Sequence, residues 1–362
     1  MHRVLIVGAG KIGPLIAALL ANTKDYEVHL ADINIESSYL TRVIAKVSAI
    51  KLIQLDANDA EQIKKFLQKT PMQTIVSSLP YYCNITIAKI AKEFNLNYFD
   101  LTEDVRTATT VSDLSHYTKS AFVPQCGLAP GFISIVANDL MKRFSAIDTV
   151  KMRVGALPIN ISNALQYALT WSTDGLINEY GNLCNAIEHG EAVTTASLDG
   201  LEEIEIDGLT YEAFNTSGGA GTLVKSYLGR VKQLTYKTIR YPGHCEKMRF
   251  LINDLNLNED RDTLKRILEN ALPKTAQDVV LVYVSVTGTQ DNQFCEENYV
   301  KKFYPKIIHD LSWTAIQLTT ASELCAILDM VVQQPDKYKG LVTQEQFTLE
   351  ELIQNRFGQY YV

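Results

Sequence analysis

The chain has 362 residues, 46% of them hydrophobic and 21% charged, with a formal net charge of −7. That length exceeds one usual core, so two domains are expected, and the acidic balance argues against nucleic acid or an anionic membrane as partner. No 18-residue apolar run and no leader of charged and apolar regions is read in the sequence, so a cytoplasmic protein is expected; six scattered cysteines without C-x-x-C or clustered histidines predict reduced thiols and no metal.

Residues 3–7 (RVLIV) read as a buried strand running into Gly8-Ala9-Gly10-Lys11-Ile12-Gly13, after which an apolar helix starts at Pro14. This is a G-x-G-x-x-G between strand and helix. Gly8 permits a tight turn, Gly10 lets the backbone approach a pyrophosphate, and Gly13 allows helix and strand to pack closely, while Lys11 and Ile12 open the helix whose dipole faces the phosphates. The next strand, residues 27–31, ends in Asp32, nineteen residues beyond Gly13, where a carboxylate can bond an adenosine ribose. Asp32 followed by Ile33-Asn34, with no arginine to meet a 2′-phosphate, predicts NAD over NADP.

Strand and helix patterns then alternate. Strands are expected at 48–55, 74–78, 98–101 and 121–125, with helices at 60–68, 84–94 and around 114–119, a doubly wound α/β complement. Ligands in such sheets sit at the carboxyl ends of strands, which places Asp56 and Ala57 near the adenine and Ser78, Leu79 and Pro80 near the nicotinamide ribose. The sixth strand ends in Gly127-Leu128-Ala129-Pro130-Gly131, the exit to a second domain. The expected division is a Rossmann domain over 1–130, an α/β substrate and dimerisation domain with a mixed sheet over 131–317, and helices over 318–362 returning to the first.

In the second domain a helix is expected at 133–143, strands at 149–154 and 279–287, short strands between 198 and 213, and a loop over 216–221 in which Gly218 and Gly219 form either a mobile cover or a turn. Residues 237–244 (KTIRYPGH) read as a strand running into a turn. Arg240 offers a planar fork for a substrate carboxylate. His244 stands where a side chain can face a cleft, with an ordinary pKa of about 6.5, as suits a base that keeps an amine neutral. Asp174 and Glu179 flank a short helical turn and could hold a substrate amine.

These features together resemble the saccharopine dehydrogenase and lysine 6-dehydrogenase family: the opening fingerprint, Leu79-Pro80-Tyr81, the G-L-A-P-G turn at 127–131 and T-I-R-Y-P-G-H at 238–244. The similarity spans nearly the whole chain. It implies a homodimer that moves hydride between NAD(P) and an amine-bearing carbon of a lysine-derived substrate. It also implies an acid-base lysine nine residues after Pro80, here Lys89. Saccharopine reductases place an aspartate in the turn where this chain has Ala129, so the resemblance favours lysine 6-dehydrogenase. Saccharopine or carboxynorspermidine dehydrogenase is the alternative enzyme, and a silent dinucleotide-binding regulator the alternative of another class.

Overall fold

The computed structural model describes residues 1–362, apart from the side chain of Ser38. It divides into two compact units: Met1–Gly131, Ile307–Trp313 and Gln317–Val362 form the first, Phe132–Lys306 and Thr314–Ile316 the second.

The first unit opens with β1 (His2–Val7), in which Val4, Leu5 and Ile6 are fully buried; each such side chain contributes about 1.5–3 kcal/mol on leaving water. There follow α1 (Gly13–Asn22), β2 (Tyr26–Asp32), α2 (Ser38–Lys46), β3 (Lys51–Gln54), α3 (Ala60–Lys69), β4 (Thr74–Ser77), α4 (Tyr81–Glu93), β5 (Asn97–Asp100), α5 (Val105–Leu114) and β6 (Ala121–Val123). These strands pair in parallel, in the order β3-β2-β1-β4-β5-β6. The order reverses between β1 and β4, the switch point at which doubly wound sheets bind ligands. The helix expected around 114–119 lies earlier in the same connection, at Val105–Leu114: the Asp104 carboxylate accepts from Thr107 N–H at 2.7 Å and starts α5 there.

The second unit contains α6 (Ile133–Met141), β7 (Ala146–Pro158), α7 (Thr173–Gly181), β8 (Cys184–Glu188), β9 (Glu191–Thr195), β10 (Glu202–Ile206), β11 (Leu209–Asn215), α8 (Leu223–Ser226), β12 (Val231–Arg240), α9 (His244–Arg249), α10 (Arg261–Ala271), β13 (Asp278–Gln290) and β14 (Gln293–Phe303). Its eight-stranded mixed sheet runs β10-β11-β12-β7-β13-β14, with β8 joining β12 to β9. Only β12 and β7 pair in parallel there; the other ladders are antiparallel. Tyr167, Leu176, Tyr180, Phe214, Cys245 and Met248 share a core that seats α7 and α9.

The chain closes with β15 (Lys306–Ile308), β16 (Leu311–Trp313), α11 (Ala315–Gln333), β17 (Gly340–Leu341) and α12 (Leu349–Gln354). β17 adds a seventh strand beside β6, also parallel. Residues 307–313, expected in the second domain, belong to the first unit. α11 corrects the reading that no apolar run is long enough to span a bilayer: by length and composition it is, with a mean hydropathy of 1.4 over 18 residues. It is 83% buried inside the protein, so its apolar composition serves a core helix enclosed by other elements. All six cysteines are free and five are buried.

Candidate functional site

In the first unit the turn after β1 is fixed by backbone. Gly8 N–H donates to Ala31 O at 2.8 Å and Ser78 N–H to Val7 O at 2.8 Å, which draws the ends of β2 and β4 against the turn. Gly8 has φ +107°, and a Cβ there would stand 2.5 Å from Ser78 O; one on Gly13 would stand 1.9 Å from Gly8 O. Gly10 differs. A Cβ on it would meet nothing within 4 Å, so the space in front of the α1 N-terminus is open, and no side chain caps that helix. An exposed glycine beside an uncapped helix start fits a pyrophosphate.

The neighbouring strand ends add polar groups. Asp32 accepts from Ala9 N–H (Oδ2, 2.6 Å) and Asn34 N–H (Oδ1, 2.9 Å), which pins its carboxylate beside the glycine turn. Ile33 is 59% exposed. Asp56 closes β3 by accepting from Asn58 N–H at 2.9 Å, and Ala57, Ser78, Leu79 and Pro80 are half-buried. From α11, Gln317 Nε2 donates to Lys11 O at 2.7 Å. Holding that carbonyl turns the N–H of the same peptide, that of Ile12, the opposite way. Further along α11, Glu323 is fully buried; its Oε2 accepts from Gly127 N–H at 2.5 Å, and its Oε1 has no partner. Burial pushes its pKa well above the usual carboxylate range, which favours its neutral form.

In the second unit β12 delivers Arg240 into the aromatic core, where it is 3% exposed. Nε donates to Tyr180 Oη at 2.8 Å and Nη1 to Ile239 O at 2.8 Å, while the guanidinium lies 4.9 Å from the Tyr167 ring centre. Three residues on, Gly243 (φ +87°) begins α9, and the Glu212 carboxylate accepts from Gly243 N–H at 2.7 Å and Cys245 N–H at 2.5 Å. This fixes His244. Its Nδ1 stands 2.7 Å from Leu165 O, which can only accept, so Nδ1 carries the proton. Nε2, 3.1 Å from Tyr180 Oη, is thereby assigned as acceptor of the phenol proton. The relay runs from Arg240 to Tyr180 to His244 to Leu165. Burial, reinforced by the Arg240 charge, holds the His244 pKa down at about 3.

Both halves of the chain match known domain families: residues 4–122 the saccharopine dehydrogenase NADP binding domain, and residues 127–359 the saccharopine dehydrogenase C-terminal domain. The chain belongs to the saccharopine dehydrogenase family. It shares the fold of apo saccharopine dehydrogenase (L-Glu forming) from Saccharomyces cerevisiae, with a TM-score of 0.75 at 16% identity over 97% of this chain and 95% of that one. Homospermidine synthase from Legionella pneumophila, solved with NAD, gives 0.64 at 12% identity over 99% and 89%. As a saccharopine dehydrogenase-family NAD(P) oxidoreductase, the protein is expected to hold a dinucleotide, and the open cradle at Gly10 fits one.

Against that family frame, the remaining candidates fall in different places. Glu179 is 8% exposed and acts electrostatically on Arg240, so α7 and β12 bring these two together. Asp174, on the same helix, is instead ion-paired with Lys265 of α10 at 2.7 Å. Lys89 is exposed on α4, while the neighbours Cys83, Ile87 and Ala88 face the core. Gly219 is a packing glycine, since a Cβ there would meet the Tyr236 ring at 2.1 Å; Gly218 (φ +89°) makes the adjoining turn, its carbonyl accepting from Gly221 N–H. His244 is not the half-protonated group expected from its ordinary pKa, because both ring nitrogens are engaged and the ring is 1% exposed. Tyr180, Tyr167, Glu212 and Gln317 were not singled out in the sequence. Only Tyr180 carried any signal, as the neighbour in sequence of Glu179.

Proposed function

We propose that this protein is an NAD-dependent amino-acid dehydrogenase that oxidises the terminal amine of lysine to the semialdehyde. The observation that carries the reading is Arg240: its guanidinium is almost wholly buried, held by Tyr180 Oη and Ile239 O, with the Glu179 charge acting on it. A buried guanidinium fork is a binding group for a ligand carboxylate, whose charge offsets part of the cost of its burial. Glu179 beside it supplies the opposite sign, so the pair offers what the zwitterionic end of an amino acid requires.

In this reading Arg240 holds the carboxylate through its fork, Glu179 holds the α-ammonium, and Tyr180 fixes the guanidinium plane. His244 remains neutral and orients the Tyr180 hydroxyl, a positioning part. Asp32, Gly10 and the α1 N-terminus would hold the dinucleotide, whose nicotinamide accepts the hydride when bound. Asp32 supports NAD, because its carboxylate would repel a 2′-phosphate. The protein's place in the cytoplasm belongs to the same proposal.

The test is NADH or NADPH production over lysine, saccharopine, ornithine and polyamines. Turnover of lysine with NAD is expected. Turnover confined to saccharopine or a polyamine would replace the substrate, and dinucleotide binding without turnover of any amine would replace the enzyme by a regulator.

A further inference from the structure

β7 and β12 crowd three cations onto one face of the eight-stranded sheet. Lys151 and Arg153 are two apart on β7 and so share a face, and Lys237 of β12 stands beside Arg153 in the parallel ladder. Arg240, three residues along β12 from Lys237, lies on the opposite face, so the cluster is separate from the aromatic core described above. Among the described residues one carboxylate pairs with all three cations. Glu202 Oε1 lies 2.6 Å from Arg153 Nε, and its Oε2 3.4 Å from Lys237 Nζ and 3.7 Å from Lys151 Nζ. Two positive charges are left without a counterpart, in a protein whose net charge is −7. Like charges this close repel. Burial, with Arg153 and Lys151 adding to it against the pull of Glu202, lowers the Lys237 pKa.

The donors that remain converge. The Arg153 side chain is 5% exposed, and its guanidinium lies 4.6 Å from the centre of the Tyr283 ring, which fixes the plane of the fork. Nη1 is 3.4 Å from Ser285 Oγ, Nη2 is in no hydrogen bond among the described residues, and Ser285 stands opposite Lys151 in the β7–β13 ladder. Lys237 is turned inward, donating to Gly200 O at 2.6 Å. Lys151 is 43% exposed and opens the cluster to solvent. A guanidinium fork, an ammonium and a hydroxyl around one opening suit the three oxygens of a phosphoryl group, whose charge of about −1.5 to −2 at pH 7 matches the two charges left over. A carboxylate brings only two oxygens and one charge. We propose that Lys151, Arg153 and Ser285, backed by Lys237, form a binding site for a phosphoryl group, that of free phosphate or of a phosphate ester.

Calorimetric titration of the full-length protein with inorganic phosphate, at an ionic strength held constant with sodium chloride, tests this. Saturable binding is expected. Lys151→Gln removes an exposed ammonium and Arg153→Lys removes the fork while keeping the charge beside Glu202; each should weaken binding at least about tenfold. Gly10→Val and Arg240→Lys should bind phosphate as the wild type does, which separates this site from the glycine turn and from the buried guanidinium of the aromatic core. Inorganic phosphate bound more tightly than phenyl phosphate assigns the site to the free ion, and the reverse order to an ester; either order sustains a phosphoryl site. No saturable binding, acetate bound as tightly as phosphate, undiminished binding in Lys151→Gln, or binding lost in Gly10→Val or Arg240→Lys would overturn the proposal.

Discussion

Gly8, Gly10 and Gly13 lie within six residues of one another, whereas Tyr167, Tyr180, Glu212 and the Arg240–His244 stretch come from four separated segments of the second unit. The first site is defined by where a Cβ cannot stand and where open space must remain, both properties of local backbone. The second is defined by which side chains long-range packing brings together, and the hydrogen bonds from Arg240 to Tyr180, Tyr180 to His244 and His244 to Leu165 span 60 to 79 residues of sequence. Local conditions leave a spacing in the sequence. Long-range ones leave only residue types.

The sharpest way to break the comparison lies within the glycine turn itself. Gly13→Val places atoms on the Gly8 carbonyl and should destabilise the first unit by roughly 4–5 kcal/mol or more, seen as lost cooperative melting. Gly10→Val points into open space and should melt like the wild type while losing dinucleotide binding by calorimetry. If Gly10→Val binds as the wild type does, the cradle is not the nucleotide site.

In the second unit Arg240→Ala should raise KM by roughly 10²-fold or more for substrates bearing a carboxylate, with little effect on simple amines. Arg240→Lys should recover only part, since an ammonium lacks the fork. Equal losses on amines without a carboxylate would show that Arg240 serves folding alone.

His244 gives a smaller effect with a definite sign. Its folded pKa is about 3 and its unfolded one about 6.5, so the stability tied to its neutral form is complete above pH 6.5 and is lost as pH falls toward 3. His244→Gln should remove about 1.4 kcal/mol per pH unit from the slope of unfolding free energy between pH 6 and 4, measured by urea denaturation. An unchanged slope would mean that His244 titrates normally in the fold.

The mildest change is Asp32→Ala, expected to lower the kcat/KM preference for NAD over NADP by roughly tenfold. A wild type that prefers NADP would remove the role given to Asp32.

The α/β alternation, the first six strands of the parallel sheet and the glycine turn were legible because period and spacing are local. β17 was not: two residues, Gly340 and Leu341, make a strand only because β6 is there to pair with. β14 was not among the expected strands because its glutamates and lysines leave no apolar alternation; β13 holds it in register. α11 went unrecognised as a long apolar helix since Glu323 and Asp329 interrupt its hydropathy, and both are buried. The Arg240 fork could be named from its residue type, but Tyr180, which orients it, is sixty residues away.

Glu323 has a consequence for heat rather than binding. Burial raises its carboxyl well above the ordinary value of 4.5 that it has in the unfolded chain, so between those two values the fold binds a proton that the unfolded chain releases. Melting the first unit within that window therefore releases protons to the buffer, and the apparent unfolding enthalpy shifts with the buffer's own ionisation heat. The sign also follows: this contribution is complete below pH 4.5 and shrinks by about 1.4 kcal/mol per unit as pH rises toward the elevated folded pKa, the reverse of the His244 dependence. Alkali thus acts on the first unit through Glu323, and acid on the second through His244, so these two groups bear on stability with opposite signs.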